Sequence, residues 1–313
     1  MIVSAGEALI DLLPIPEADG RAALRPVPGG SPFNVAVGLG RLGAPVAFLG
    51  AVSEDAFGAR IMAALAEAQV DASLVTRVRR PTPLAVVQLE GGEASYSFYD
   101  AGTAARGLTL REMKSLPDTT AIFHFGSVAL AAEPAASSLI ARATVARTTA
   151  LVSLDLNARP AFAGSETTYR RFLEHAMETA DLVKASEADL AWLRPGLSPA
   201  DFAAEWLARG SGLVVVTRGA AGAEGFAPSG TVLVRAKAGP VVDTIGAGDA
   251  FMAGLLSALY DAGVRRPAAL ARLGSEQLEA AMDFGARVAA LTCARAGADP
   301  PWRSEVAMDL PQP

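Results

Sequence analysis

Residues 241–256, VVDTIGAGDAFMAGLL, combine a glycine-rich turn with the start of an apolar helix. Gly246 and Gly248 allow the backbone to turn with its N–H groups facing outward, and the positive end of the helix dipole points at the same place. This layout suits a phosphoryl group. Asp249, at the helix start, could accept a proton from a hydroxyl that attacks the phosphorus, or it could only cap the helix. The motif alone leaves both interpretations open.

A second polar cluster lies in residues 28–43, PGGSPFNVAVGLGRLG. Its paired glycines form a turn, Ser31 and Pro32 begin a helix, and Asn34 lies in the first turn of that helix. An asparagine together with a carboxylate such as Asp11 offers the donors and acceptors that sugar hydroxyls require. The alternative is a glycine turn followed by an asparagine that faces solvent.

Other catalytic motifs are excluded. The chain has no Gly-x-x-x-x-Gly-Lys-Ser/Thr loop, and residues 246–251 lack the third glycine of a dinucleotide fingerprint. It also has no Gly-x-Ser-x-Gly motif, and its two histidines leave few bases for a serine or cysteine triad. His124 lies between two phenylalanines in a strand, which predicts a structural role. His175 lies on an amphipathic helix and is predicted to be at the surface.

Composition narrows the class of protein further. The formal net charge of -6 provides no basic field for a nucleic acid, and 51% hydrophobic residues support a large core. The single cysteine, Cys293, cannot form an internal disulfide. The N-terminus has no basic leader, and no apolar run reaches the ~18 residues of a membrane span. We therefore expect a cytoplasmic globular protein with neither a nucleic-acid nor a membrane partner.

The strands and helices predicted around these residues alternate in a βαβ pattern. Short apolar or β-branched runs predict strands near Ile2, Val46, Ala121, Leu151, Asp181 and Gly212. Amphipathic patterns predict helices between them, with clear examples at residues 55–69, 133–147 and 168–180. Right-handed crossovers would place such helices on both faces of a mostly parallel sheet.

Two segments interrupt this alternation of strands and helices. Residues 81–100 alternate apolar and polar side chains around Gly91-Gly92, which predicts a hairpin, and residues 10–28 are extended and rich in proline. Together they could form a small sheet that covers the ligand edge of the main sheet, or they could be ordinary surface structure. The chain shows no internal repeat or charged linker, so we expect one domain over residues 1–313.

The chain resembles the ribokinase-like (PfkB) carbohydrate kinases along nearly its whole length. The resemblance is carried, in order, by GEALIDLLP, PGGSPFNVAVGLGRLG, GAVSEDAFG and DTIGAGDAFMAGLL. Within that family GEALIDL, RPTPLA, SFYD, IFHFGSVAL and Glu133-Pro134 are similar to the fructokinase branch. The resemblance implies a Rossmann-like α/β domain with a small β lid, from about residues 10–28 and 81–106.

The resemblance also implies a reaction, the transfer of the γ-phosphate of ATP to a sugar hydroxyl. Asp249 would be the catalytic base, and Gly246, Ala247 and Gly248 would form the anion hole. The sugar-binding positions would be Asp11, Gly30, Asn34, Phe98, Asn157 and Arg159. The nucleotide side would comprise Lys184, Thr217, Arg218, Gly219, Gly222 and Gly248.

The family uses Mg²⁺ with ATP and commonly a monovalent cation such as K⁺. The magnesium contacts, through water, would come from Glu187 and Asp189. The monovalent cation would be held by Asp243, the carbonyl of Ile245, and Gly297. This chain departs from the family at residues 186–189, where Ser-Glu-Ala-Asp replaces an Asn-x-x-Glu pattern.

Other departures bear on the acceptor. DLNAR replaces the commoner Asp-Pro-Asn, and Asp100 stands where many fructokinases have an arginine. Asp100 would disfavour an anionic acceptor if it faced the sugar. Fructose is the expected substrate, with 2-keto-3-deoxygluconate, ribose or a nucleoside as alternatives. A sugar- or nucleotide-binding protein without catalysis is the alternative from another class, and a homodimer is a further expectation.

Overall fold

The structure, a computed structural model, describes residues 1–16, 22–90 and 93–308. Its strands are β1 (Ile2–Ala5), β2 (Leu9–Pro16), β3 (Ala22–Gly29), β4 (Val46–Ser53), β5 (Val75–Val78), β6 (Leu84–Glu90), β7 (Glu93–Tyr99), β8 (Ile122–Gly126), β9 (Leu151–Asp155), β10 (Leu182–Ser186), β11 (Leu213–Thr217), β12 (Ala223–Ala227) and β13 (Gly230–Val234). Its helices are α1 (Ser31–Arg41), α2 (Ala56–Glu67), α3 (Ala135–Ala146), α4 (Glu166–Thr179), α5 (Glu187–Leu193), α6 (Pro199–Ala208), α7 (Ala247–Asp261), α8 (Pro267–Leu270), α9 (Ser275–Cys293) and α10 (Arg303–Met308). Within these ranges, no helix is both long and apolar enough to cross a bilayer.

One large sheet runs through the described chain in the order β13-β12-β11-β10-β9-β8-β1-β4-β5. The strands from β11 to β5 pair in parallel, and β12 and β13 extend one edge in antiparallel fashion. All of the predicted strands lie in the parallel part. This confirms the mostly parallel sheet that the apolar runs predict.

Helices cover both faces of this sheet. Successive residues of β1 point to opposite sides, so that Ile2 packs with residues of α1, α2, α7 and α9, while Val3 packs with residues of α3, α4 and α6. The second side includes the fully buried rings of Tyr169 and Trp206. Full burial of each large apolar side chain contributes about 1.5–3 kcal/mol. The two packed layers confirm the predicted α/β class.

A smaller sheet has the order β3-β2-β6-β7. β2 and β3 pair in antiparallel register, with Leu9 opposite Gly29, and β6 and β7 form the hairpin that the alternation predicts. The prolines of β3 lie on an edge strand, where a missing N–H donor is tolerated. The turn predicted at Gly91-Gly92, and residues 17–21 of the proposed lid, lie outside the described residues.

Helix boundaries differ from the predicted ones where caps were not recognised. Asp55 caps α2 as expected, accepting a hydrogen bond from the Gly58 N–H at 2.7 Å. α4 begins at Glu166, two residues earlier than predicted, because Ser165 caps it. α3 begins after Pro134, which therefore occupies the cap position rather than the first turn.

Candidate active site

A cleft of about 740 Å³ lies where the carboxyl ends of the parallel strands meet the small sheet. Ligands of open α/β sheets usually bind at this edge. Residues from distant parts of the chain line the cleft together, among them Asp11, Gly30, Asn34, Phe98, Asn157, Arg159, Asp243, Ile245, Gly246, Gly248, Asp249 and Gly297. The structure thus brings the predicted sugar-side, anion-hole and monovalent-cation positions to one place.

Asp249 is the third residue of α7 and is buried. Its Oδ1 accepts a hydrogen bond from the Ser31 hydroxyl at 2.6 Å, and its Oδ2 accepts one from the Asn34 amide at 2.8 Å. The cap of α7 is Gly246, in a left-handed conformation and without a side-chain cap bond. The interpretation of Asp249 as a helix cap is therefore wrong. Burial raises the pKa of this carboxyl, which makes its ionised form a stronger base.

The beginning of α1 supplies both partners of Asp249. Gly30 is the N-cap of α1, and the hydroxyl of the residue after it, Ser31, reaches across to α7. Asn34 lies one turn further on and is 9% exposed, so it is not the solvent-facing asparagine of the alternative interpretation. The two glycine-rich motifs therefore meet at a single carboxylate.

The turn before α7 presents backbone N–H groups to the cleft. Gly246 has a φ of 75°, and a Cβ atom added there would lie 2.5 Å from the Cβ of Ala298. The N–H groups of Gly246 and Gly248 have no hydrogen-bond partner among the described residues. The Ala247 N–H donates to the Thr244 carbonyl at 3.2 Å. Gly246 and Gly248 are thus better placed than Ala247 to receive an anion.

A buried ion pair lies beneath this turn. Lys184 Nζ is 2.6 Å from Asp155 Oδ2, with side-chain exposures of 4% and 1%, and it lies 3.5 Å from the position a Cβ of Gly248 would take. Burial raises the pKa of Asp155 to about 6, although Lys184 opposes the shift. Asp155 Oδ1 has no hydrogen-bond partner among the described residues. Sequence reasoning missed Asp155, whose only signal is its position at the end of β9.

The histidines lie as predicted. His124 is buried in β8 beside Ser153, 3.2 Å from its hydroxyl, and burial together with Lys184 lowers the pKa of its imidazole to about 3. It is therefore neutral at physiological pH and structural in its contacts. His175 is exposed on α4.

The predicted nucleotide-side residues 217–222 lie outside the lining of this cleft, at the end of β11 and the turn that follows it. Arg218 there forms ion pairs with Glu187 at 2.8 Å and with Glu224 at 2.5 Å. We call residues 246–248, whose N–H groups could bind an anion, the anion turn. The structure brings Lys184 close to this turn, whereas Thr217, Arg218, Gly219 and Gly222 lie outside the lining of the cleft.

The residues of the two predicted cation sites differ in the contacts that their side chains already make. The carboxylate of Asp243 accepts hydrogen bonds from the N–H groups of Ile245 at 2.8 Å and Gly297 at 3.0 Å, so the three predicted ligands of the monovalent cation lie together. Glu187 is engaged by Arg218, and the Asp189 carboxylate takes part in the capping box of its own helix, whose N-cap is Ser186. Among the described residues, no group of three or more histidine, cysteine or acidic side chains could hold a metal. The residues predicted to hold the monovalent cation therefore suit that role better than Glu187 and Asp189 suit a magnesium site.

Asp11, on β2, lines the same cleft as Asp249. Burial, followed by repulsion from Asp249, raises the pKa of Asp11 to about 7. Its Oδ2 lies only 2.1 Å from where a Cβ of Gly29 would be, so glycine at position 29 leaves room for this carboxylate. The small sheet thus contributes an acidic group whose charge is disfavoured in the folded protein.

Asp11→Asn is expected to stabilise the folded protein at pH 8 while it weakens sugar binding. Because the pKa of Asp11 is higher in the folded state than its ordinary 3.8, its ionisation disfavours folding, and stability rises as the pH falls from about 7 towards 4. After solvent screening roughly 1–2 kcal/mol is involved, or about 1.5–3 °C in Tm for a chain of 313 residues. Thermal unfolding at pH 8 and pH 5 tests this: the gain should shrink at pH 5.

The exposed Asp118 provides a matched control, since Asp118→Asn should leave Tm unchanged at both pH values. A Tm for Asp11→Asn that is below that of the wild type at pH 8 would contradict the assigned environment of Asp11.

Several cleft residues were not predicted. Glu7 is 3% exposed, accepts hydrogen bonds from the N–H groups of Ser31 and Ala129 at 3.1 Å, and has a pKa raised to about 7 by burial. Phe162 contacts Phe98 of the small sheet, with ring centroids 3.5 Å apart. The GEALIDL segment contains Glu7, but the contact between the two rings has no signal in the sequence.

Asp100 does not face the cleft in the way that the repulsion argument requires. It forms an ion pair with Arg106 at 2.5 Å and lines a small pocket beside the main cleft, which shares Glu7, Leu9 and Phe98 with that cleft. The main cleft is lined by the cations Arg25 and Arg159 as well as by acids. Discrimination against anionic acceptors by Asp100 is therefore not supported by its position.

Comparison with known proteins defines the class. Residues 1–305 match the profile of the pfkB family carbohydrate kinases. The fructokinase of Rhizobium leguminosarum bv. trifolii is 38% identical over 83% of this chain and 79% of its own. The fructokinase of Xylella fastidiosa with bound ATP superimposes with a TM-score of 0.91 at 31% identity, covering 98% of this chain and 97% of that chain.

A Vibrio cholerae O395 fructokinase, solved with fructose, ADP and calcium, has a TM-score of 0.86 and 30% identity, covering 99% of this chain and 98% of that chain. The shared fold and profile are those of a phosphotransferase that acts on a sugar hydroxyl. The chain belongs to the pfkB family of carbohydrate kinases. The predicted family and reaction class are confirmed.

Proposed function

We propose that this kinase transfers the γ-phosphate of ATP to a primary hydroxyl of fructose. The observation that carries the proposal is the buried Asp249 carboxylate, held by Ser31 and Asn34 at the start of α7 and facing the cleft. The relatives named fructokinase support the choice of sugar, as does the Vibrio cholerae enzyme solved with fructose and ADP.

In this mechanism Asp249 accepts the proton of the attacking hydroxyl. Its two hydrogen bonds fix the orientation of the carboxylate, and each oxygen retains a lone pair for the substrate. Its burial keeps it more basic than an exposed aspartate. The N–H groups of Gly246 and Gly248, with the nearby Lys184 ammonium, stabilise negative charge on the transferred phosphoryl group.

Asp11, Gly30, Asn34, Asn157 and Arg159 are proposed to bind the sugar, since all of them line the cleft. Phe98 reaches the same cleft from the small sheet. We propose that residues 10–28 and 81–106 act as a lid, because Asp11 and Phe98 both come from this sheet and would bring it onto the bound sugar. The cytoplasmic location and the homodimer stay predictions.

A magnesium ion bound with ATP would neutralise phosphate charge during the reaction. Asp243, the Ile245 carbonyl and Gly297 are proposed to hold a monovalent cation beside the anion turn, where K⁺ would order residues 243–248. The bonds that Asp243 makes to both segments support this assignment. Lys184 is proposed to contact the nucleotide phosphates, with residues 217–222 further along the same edge.

The proposed substrate is tested by measuring ADP release with ATP, Mg²⁺ and K⁺ across a panel of acceptors. Fructose is expected to give the highest kcat/KM among hexoses, ribose, nucleosides and 2-keto-3-deoxygluconate. The keto-deoxy acid is the informative competitor, because Arg25 and Arg159 could pair with its carboxylate. A higher kcat/KM for that acid would overturn the choice of fructose. No turnover with any acceptor would favour a binding protein.

A further inference from the structure

We propose that Asp189 is a positioning residue, which holds the loop of residues 156–159 in its active shape, and that it is not a ligand of metal-bound water. This inference rests on the proposed sugar kinase function, because two residues of that loop line the cleft. It gives Asp189 a different role from the one that the family resemblance implies.

The contacts of Asp189 are directed into the protein. Its Oδ2 accepts hydrogen bonds from the N–H and the hydroxyl of Ser186, both at 2.7 Å, and its own N–H donates to the Ser186 hydroxyl oxygen at 3.0 Å. Its Oδ1 accepts a hydrogen bond from the Ala158 N–H at 2.7 Å. The residue is 4% exposed and is not among the residues that line the cleft. Its carboxylate is therefore occupied by the helix cap and by the loop.

The loop needs such support. Asn157 has a φ of 35°, a left-handed conformation that is strained for a residue other than glycine and persists only where the surrounding structure imposes it. The Leu156 N–H donates to the Lys184 carbonyl at 2.9 Å, and the Arg159 N–H donates to the Tyr169 hydroxyl at 3.2 Å. The Lys184 carbonyl and the Tyr169 hydroxyl are neutral acceptors, whereas Asp189 offers a carboxylate. A hydrogen bond to a carboxylate is stronger, so the bond from Ala158 is the strongest of the three.

The position of this bond is what links Asp189 to the substrate. Ala158 lies between Asn157 and Arg159, whose side chains both line the cleft. A backbone fixed at residue 158 orients the residues on either side of it. The short side chains of Ser186 and Asp189, where the family has asparagine and glutamate, end at the cap and the loop. In this chain the Asp189 carboxylate therefore holds the loop and does not extend towards a metal ion.

The test uses Asp189→Asn, which replaces one acceptor oxygen with an amide donor. In the ligand-free protein, hydrogen exchange of a peptide covering residues 156–163 should accelerate roughly 10–100-fold, because the two donors of Ser186 hold the one remaining oxygen and the amide nitrogen then faces the Ala158 N–H. KM for fructose should rise by about the same factor. The Mg²⁺ concentration for half-maximal activity should stay within about twofold of the wild type, since no metal contact is removed.

Two further variants separate this role from a purely structural one. Ser186→Ala breaks the capping box but keeps the bond from Ala158 to Asp189, so it should lower Tm and leave loop exchange and KM near wild type. Asp189→Glu can still cap the helix but moves the carboxylate away from Ala158. It should therefore raise loop exchange and KM with little loss of Tm, and it remains informative if Asp189→Asn does not fold.

Unchanged loop exchange in Asp189→Asn or Asp189→Glu, together with a rise in the Mg²⁺ requirement, would overturn the inference in favour of the metal role. Ser186→Ala matching Asp189→Asn in loop exchange and KM would also overturn it, in favour of simple cap loss. A wild-type protein that is inactive with fructose would overturn only the proposed substrate, because the exchange measurement needs no substrate.

Discussion

Asp249→Asn is expected to lower kcat by about 10²–10⁴-fold, the range typical of general-base assistance. The substitution removes the proton acceptor but keeps the size of the side chain. KM for fructose and for ATP should change little, because Asp11, Asn34 and the glycine N–H groups remain. Loss of kcat at nearly constant KM is the signature of an interaction made mainly in the transition state.

Folding should not suffer in this variant. The Ser31 hydroxyl can rotate to donate or accept, and the Asn34 amide can present its oxygen instead of its nitrogen, so both partners can adapt to an asparagine at position 249. Burial disfavours the charge of Asp249, and a neutral side chain removes that cost. Thermal unfolding and steady-state kinetics on the same preparation provide the measurement. A variant with wild-type Tm and more than about a tenth of wild-type kcat would show that Asp249 is not the base.

Gly246→Ala is expected to reduce kcat by about 10²-fold. A Cβ at this position would lie 2.5 Å from the Ala298 Cβ and 2.9 Å from its Cα, so the turn before α7 must shift. Displacement of a positioned group by about 1 Å can cost 10²-fold in rate. The expected loss arises because the N–H groups of this turn would no longer point at the transferred phosphoryl group.

Gly263 provides a matched control at the opposite end of α7. Its φ of 79° is close to the 75° of Gly246, but a Cβ there would have no atom within 4 Å. Gly263→Ala should therefore show a similar backbone strain of about 1–2 kcal/mol in its free energy of unfolding, with wild-type kcat. Adding Ala298→Gly to Gly246→Ala should restore only part of kcat, because it removes the contact with the Cβ of residue 298 but keeps the one with its Cα. Equal kcat values for the two single alanine variants would contradict the proposed anion turn.

The strands and helices could be predicted because apolar runs and helix caps are local patterns, which the tertiary structure does not change. Parallel strands buried on both faces must be apolar throughout, which is why the runs in β4, β8 and β11 could be recognised. Caps such as Asp55 also act within a few residues. The start of α4 was misplaced because Ser165, inside a polar stretch, did not stand out as a cap.

The two glycine-rich motifs, the family they indicate and the side chains able to bind a sugar or a phosphate can all be recognised from the order of residues alone. The contacts of the Asp249 carboxylate, by contrast, depend on how distant elements pack. Its partners Ser31 and Asn34 are 218 and 215 residues away in the chain, and no local pattern encodes a bond across that distance. The same holds for Asp189, which reaches a loop 31 residues away, and for Asp100, which turns to Arg106 rather than to the cleft. Side-chain direction depends on which elements pack together, and that is settled by burial of the whole core rather than by any one segment.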